Sequence, residues 1–409
     1  MSHDNTLAAL RDGMVRRFGV TPDAVRFVRA PYRICPLGAH IDHQLGTVTA
    51  MAIDRGVHLA FVPSGSGEVR LRSLAFPGEV RFRIEAIPPK QPGDWGNYAR
   101  GAAMALSQGR KLTNGIVGLT SGDLAEVGLS SSASIGLAYL LALEEVNEWR
   151  GSATDNIRLD QAIENRYLGL NNGILDQSAI LLSRRDHLTV IDCRAFAGLA
   201  ASTEDATPGV RLVARPPTMP AFAILIAFSG LTQSVISTDY NRRVTECAEA
   251  ARLLLNAAGR PESPARLAEV SPDEYAAHRR RLTGPLAKRA EHFFSEMERV
   301  GCGVRAWERG DLAGLGKLVT ESGRSSIVNY ECGCQPMIDL YEILVRTEGV
   351  LGARFSGAGF RGCCVALVEA DAAEAAAASV AAEYKAGHPD LAANAGCFIS
   401  QSADGARLL

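Results

Sequence analysis

At 409 residues the chain has room for about two to three domains. Apolar residues make up 47% and charged residues 22%, which excludes a disordered chain. The formal net charge of -2 offers nothing that would attract a nucleic acid or an anionic membrane, so neither is expected as a partner. Met1 to Arg11 has no apolar stretch like that of a secretory leader, and no apolar run reaches the length of a membrane span.

Nine cysteines, an odd number, are scattered from Cys35 to Cys397. This is not the pattern of a secreted disulfide framework and points to reduced thiols in the cytoplasm. Cys332 with Cys334 and Cys363 with Cys364 lack a matching second pair at zinc-site spacing.

In chain order, strands are predicted over 25–28, 47–53, 57–62, 69–71 and 80–84, from their β-branched and aromatic residues. Helices follow over 95–107, 131–147 and 157–168. Residues 203–220, punctuated by Pro208, Pro216, Pro217 and Pro220, read as a connection between domains. A strand over 222–228 opens the second half. Helices are expected over 285–308, 312–322, 337–347 and 372–384, with a last strand over 397–400. Strands segregated from helices in each half imply an α+β protein of two domains, 1–205 and 220–409.

Four segments carry chemistry. The first is Gly128-Leu129-Ser130-Ser131-Ser132-Ala133-Ser134, directly ahead of an apolar helix. Glycine permits close backbone approach, and free N–H groups at a helix start attract phosphate. Three successive serines exceed what a helix cap needs. The second is Gly352 to Gly362, four glycines among small residues between two strands, which alone could be a hairpin turn. The third is Asn171-Asn172-Gly173-Ile174-Leu175-Asp176-Gln177. Asp176 here is either a general base beside apolar neighbours or the cap of a helix over 177–183. The fourth, Ala30 to His43, sets Arg33, His40 and Asp42 in a Pro- and Gly-rich turn suited to a small polyol. With two histidines and no third nearby, it is not read as a metal site.

In this order and spacing the segments resemble the galactokinase branch of the superfamily of galactokinases, homoserine kinases, mevalonate kinases and phosphomevalonate kinases. Arg33, Gly38, His40 and Asp42 match the sugar-binding signature, and Gly128 to Ala133 match the phosphate loop. Gly173, Asp176 and Gln177 match the catalytic segment, and Tyr240 to Cys247 match a further galactokinase segment. The resemblance implies an N-terminal domain like part of ribosomal protein S5, a C-terminal ferredoxin-like domain, and a cleft where ATP and sugar meet. It implies Asp176 as the base and Arg33 as its electrostatic partner. Ala39, His40, Asp42, Gly173 and Tyr240 would lie at the sugar. Gly128, Leu129, Ser130, Ser131, Ser132 and Ala133 would lie at the phosphates, with Ser132 and Glu164 on Mg2+. No obligate protein partner is expected.

The departures are informative. Where the signature has a glutamate this chain has Ala39. Cys35, Pro36 and His43 replace further signature residues, and Glu126 and Arg361 replace loop glycines. Together these changes resemble galacturonokinases, which phosphorylate galacturonate at C1. A glutamate facing a C6 carboxylate at about 4 Å would cost roughly 4 kcal/mol at an effective dielectric near 20. That is about three orders of magnitude in affinity, and Ala39 removes it. Arg361 and His43 are the candidate cations, and Arg361 could instead pair with Glu126. A galactokinase, an L-arabinokinase or a non-catalytic sugar sensor on the same fold are the alternatives.

Overall fold

The computed structural model describes residues 3–122, 128–198, 207, 209–231 and 236–409. Helix α1 (His3–Phe18) leads into strands β1 (Arg26–Ile34), β2 (Thr47–Pro63), β3 (Glu68–Ser73) and β4 (Glu79–Arg83). Then come α2 (Asn97–Ser107), β5 (Ile116–Gly122), α3 (Ser131–Val146), α4 (Ala153–Ala162) and α5 (Leu175–Leu182). The half closes with β6 (His187–Asp192), α6 (Cys193–Ala197) and β7 (Val210–Ala214). The first sheet runs β1-β2-β5-β3-β4, with the chain's last strand, β12 (Arg407–Leu408), on the outer edge of β1 and β6 bridging β2 and β7. Burial along β3 and β4 alternates, so one face meets α2 and α3 while the other faces water.

The second half contains β8 (Phe222–Phe228), α7 (Ile236–Ala257), α8 (Pro272–His278), α9 (Gly284–Arg309), α10 (Leu312–Val328) and α11 (Gln335–Arg346). It ends with β9 (Val350–Phe355), β10 (Cys363–Glu369), α12 (Ala373–Gly387), β11 (Gly396–Ser400) and β12 (Arg407–Leu408). Its sheet runs β11-β8-β10-β9, all antiparallel. Numbered within the half, that is strand order 4-1-3-2 with helices after the first and third strands, the ferredoxin-like arrangement expected. Every residue of β8 (Phe-Ala-Ile-Leu-Ile-Ala-Phe) is buried, as a central strand covered on both faces requires. Each large side chain there contributes about 1.5–3 kcal/mol of apolar burial.

Two predictions change. Residues 47–53 and 57–62 form one 17-residue strand, β2, that continues through Gly56. Its first part pairs with β6 and its last with β5, so three neighbours hold it extended across the glycine. The connecting segment contains β7, an edge strand added to β6, ahead of the prolines at 216, 217 and 220. Residues 199–206 and 208 of that segment lie outside the described residues.

The two halves share core. Tyr32, Ile34, Leu37 and Met51 pack with Ile224 and Ile226 of β8 and with Val304 and Trp307 of α9. The last strand, β12, returns to pair with β1. All nine cysteines are free thiols, six of them buried. No described helix is long and apolar enough to cross a membrane.

Candidate active site

All four segments meet at one cleft of about 290 Å³ between the two halves. Strand β1 delivers Arg33, the turn after it delivers Ala39, His40 and Asp42, and α3 begins at the serine loop. The hairpin between β9 and β10 is the glycine-rich loop. A Cβ on Gly357 would stand 2.8 Å from the carbonyl oxygen of Gly128, so the serine and glycine loops touch backbone to backbone. Such an approach excludes any larger residue at Gly357, whose φ is also positive at 66°.

Asp176 is the centre. It lies in the first turn of α5, whose N-cap position is Ile174, so it is not the cap that the sequence left open. The Nε of Arg33 donates to Oδ1 at 2.7 Å, and the Ser130 hydroxyl donates to Oδ2. Arg33 is 3% exposed, and its Nη1 also reaches Ser356 Oγ at 3.4 Å. The serines differ from the capping role too. Ser130 has a left-handed backbone (φ 60°) and makes no cap bond, and Ser134 donates to the Pro31 carbonyl. Helix α3 therefore starts at the cleft with its cap residue turned to Asp176.

Glu164 sits on a π-helical turn (Ile163–Leu168) that continues from α4, the kind of helix irregularity frequent at functional sites. It is 1% exposed. Burial and then the charge of Asp176 push its pKa up to about 7, while hydrogen bonds from Asn172 and Ser132 pull it back. Ser132 and Glu164 thus touch. Among the described residues no three His, Cys, Asp or Glu are grouped to hold an ion unaided. A hydroxyl and a carboxylate would suit Mg2+ if nucleotide phosphates and water completed the shell.

Asp42 accepts the Leu175 N–H at 3.3 Å. Burial and then Asp176 raise its pKa to about 6. A Cβ on Gly173 would fall 2.4 Å from Asp42 Oδ2, so glycine is required to bring this segment against the turn that carries Asp42. His40 stacks on Tyr330 with ring centroids 4.3 Å apart, and burial lowers its pKa well below the ordinary value. Ala39 and Tyr240 line the same cleft, as do Gly128, Ser131 and Ser132. Leu129 and Ala133 are fully buried beneath the loop.

One of the two candidate cations falls away. The Leu267 N–H bonds Gln44 Oε1, so Gln44 Nε2 donates to His43 Nδ1 and the His43 Nε2–H faces Tyr330 Oη. Burial and then Arg266 lower its pKa to about 3. His43 is neutral and its ring nitrogens are both partnered. Arg361 lines the cleft; its suggested partner Glu126 lies outside the described residues. Sequence reasoning missed Ser130 as a donor to Asp176, and Asn172 and Ser356 as supports. Ser356 stood in a named loop, but nothing in spacing says which residue of β1 it meets. Asp160, one turn before Glu164, was also missed. It is fully buried, and neither carboxylate oxygen has a hydrogen-bond partner among the described residues.

The family profiles for the GHMP kinases N-terminal domain and C-terminal region match residues 97–184 and 304–386, and the galactokinase galactose-binding signature matches 15–63. A galacturonokinase of Arabidopsis thaliana is 49% identical over 99% of both chains. The galactokinase of Homo sapiens is 30% identical over 98% of this chain and 96% of its own. The crystal structure of Lactococcus lactis galactokinase complexed with galactose superposes with a TM-score of 0.87 at 28% identity, covering 99% of this chain and 100% of that one. A mevalonate kinase shares the fold at a TM-score of 0.60 and 15% identity, covering 92% of this chain and 99% of its own. The fold and these relatives make the chain a sugar kinase, a phosphotransferase. It belongs to the GHMP kinase family, in the galactokinase branch.

Proposed function

We propose that the chain transfers the γ-phosphoryl group of ATP to the C1 hydroxyl of D-galacturonate, giving galacturonate 1-phosphate and ADP. The observation that carries the transfer chemistry is Asp176 held between Arg33 Nε and the Ser130 hydroxyl at the floor of the cleft. Asp176 would take the anomeric proton as the C1 oxygen attacks phosphorus, and the phosphorus–oxygen bond to ADP breaks. Arg33 would hold the carboxylate oriented and favour negative charge on the attacking oxygen. Ser132 and Glu164 would hold Mg2+, which would neutralise charge on the phosphates. The start of α3 and Gly128 would take the phosphates. Asp42, His40, Gly173 and Tyr240 would bind the sugar hydroxyls.

Galacturonate is favoured over a neutral sugar by Ala39, which leaves no acid at the signature's glutamate position, and by the 49% identity with the plant galacturonokinase. Arg361, which lines the cleft, is the candidate cation for the C6 carboxylate. A cytoplasmic setting would suit nine free thiols. The test is a coupled assay of ADP release with D-galacturonate, D-glucuronate, D-galactose and L-arabinose. Galacturonate should give the highest kcat/KM. A higher value with galactose or arabinose would overturn the substrate, and no ADP release with any of the four would revive a sugar-sensing role.

A further inference from the structure

The turn that carries Ala39 is tied at Leu37 to Thr49 of β2, and its next two residues are held from the other half. It is fastened by one face of α9, a helix of the other half. The Gly38 N–H donates to Glu296 Oε1 at 2.7 Å. The Ala39 carbonyl lies 3.0 Å from His292 Nε2. One turn of helix thus grips the backbone on both sides of the Gly38–Ala39 peptide. Further along the same face, a Cβ on Gly303 would fall 2.1 Å from Leu37 Cδ1, so the helix also presses on the residue before Gly38.

Both gripping side chains are themselves fixed. His292 is 1% exposed, and burial drives its pKa down to about 4, so it is neutral near pH 7. Its Nε2 meets a carbonyl, which only accepts, so the proton is on Nε2 and Nδ1 accepts from the Ser325 hydroxyl at 2.9 Å. Glu296 is fully buried. Its charge is met by Arg299 at 2.7 Å and Arg354 at 3.5 Å, and the Ser322 hydroxyl also donates to it. A buried charge compensated on this scale is rigid, because loosening any partner leaves charge unpaired in a dry interior.

We propose that His292 and Glu296 are positioning residues for the sugar subsite, setting where Ala39 and His40 meet the substrate's C6 end while touching no substrate themselves. The proposal rests on the sugar-kinase site described above. It makes substrate choice a property of the contact between the halves as well as of the signature turn. Neither residue lies in the signature segment, which explains how a helix more than two hundred residues away bears on the sugar.

The experiment uses the different reach of two amides at position 292. In His292→Gln the side-chain amide falls near the place of Nε2 and can still donate to Ala39. In His292→Asn it falls near the place of Nδ1 and keeps only Ser325. The full chain is assayed with the best sugar of the four-sugar panel, and KM is measured for sugar and for ATP. His292→Asn should raise the sugar KM about tenfold, as loss of one buried hydrogen bond does, with the ATP KM within twofold. His292→Gln should stay near wild type in both. Glu296→Gln, which keeps an acceptor for Gly38 but loses the charge, gives a second reading: the sugar KM should rise while the ATP KM holds. Equal sugar KM values for Asn and Gln, or equal rises in both KM values, would overturn the clasp. Should the wild-type chain turn over none of the four sugars, the kinase reading beneath fails instead, and the two failures are distinct.

Discussion

The Nε of Arg33 lies 2.7 Å from Oδ1 of Asp176, while the other carboxylate oxygen takes the Ser130 hydroxyl. Both acceptor oxygens are therefore oriented before any substrate arrives, which removes a reorganisation cost from the reaction. Asp176→Asn keeps the shape and loses the base. It should reduce kcat by at least ~10²-fold, the scale of a positioned proton acceptor, with ATP and sugar binding retained. Calorimetric affinities alongside steady-state rates check this; unchanged turnover would remove Asp176 from the role. Arg33→Lys should also be costly, because a point ammonium cannot reproduce the guanidinium's fixed reach to both Asp176 and Ser356.

Glu164 gives a pH test with a definite sign. Its pKa of about 7 lies above the ordinary 4.5. The folded protein keeps a proton there that the unfolded chain has already lost. Stability from this group therefore falls as pH rises from about 4.5 to about 7 and then levels, a loss on the order of 3 kcal/mol. Glu164→Gln has no such loss. Without metal or nucleotide, its melting temperature should exceed wild type at pH 8 and approach it at pH 5. A gap equal at both pH values would mean that Glu164 is not a buried, reluctant charge. With ATP present the same variant, and Ser132→Ala, should need about tenfold more Mg2+ for half-maximal rate, since each removes one oxygen from the proposed ion.

Gly173 tests the packing of the Asp176 segment against the turn that carries Asp42. In Gly173→Ala the added methyl would stand 2.4 Å from Asp42 Oδ2 and 2.8 Å from the Asp42 carbonyl carbon. One of the two segments must shift, at a cost typical of overpacking, about 1–3 kcal/mol. The sugar KM should rise about tenfold or more, with ATP KM little changed. Sugar kinetics indistinguishable from wild type would show that the turn yields without moving Asp42.

The fold and most of the cleft were legible because four segments, each ambiguous alone, resemble one family in their order and spacing, and the structure shows what some of those residues are needed for. Gly357 and Gly173 must be glycine where two backbones nearly touch, and β8 must be apolar throughout where both faces are covered. What escaped is what local pattern cannot encode. The extension of β2 through Gly56 depends on three partner strands, and the Ser130 bond to Asp176 on a contact spanning 46 positions. His43 stood with Arg361 as a candidate cation because a C6 carboxylate calls for one. Burial against Tyr330 and Gln44 makes it neutral; Gln44 is its neighbour in the chain, but Tyr330 lies 287 positions away. His292 and Glu296 were invisible for the same reason: a helix face shows its spacing but not what it grips.

Ala39 is the position at which the proposed preference for a charged sugar is tested. It is 6% exposed, lines the cleft, and its carbonyl is held by His292. Ala39→Glu would place a carboxylate beside the C6 end of the sugar. With galacturonate the two like charges would repel, and the specificity constant should fall by up to ~10³-fold, less where water screens the pair. With galactose the same carboxylate could accept a hydrogen bond from the C6 hydroxyl, and a modest gain is expected. The gain should be smaller than the loss, because Cys35, Pro36 and His43 remain. Added volume alone would also lower activity, so Ala39→Gln is the control, with nearly the same bulk and no charge. Glu and Gln should differ sharply on galacturonate and little on L-arabinose, which has no C6 group for either to meet. Equal losses on galacturonate would show that shape rather than charge governs the position, and the argument from Ala39 to a uronic acid would fail while the kinase assignment stood.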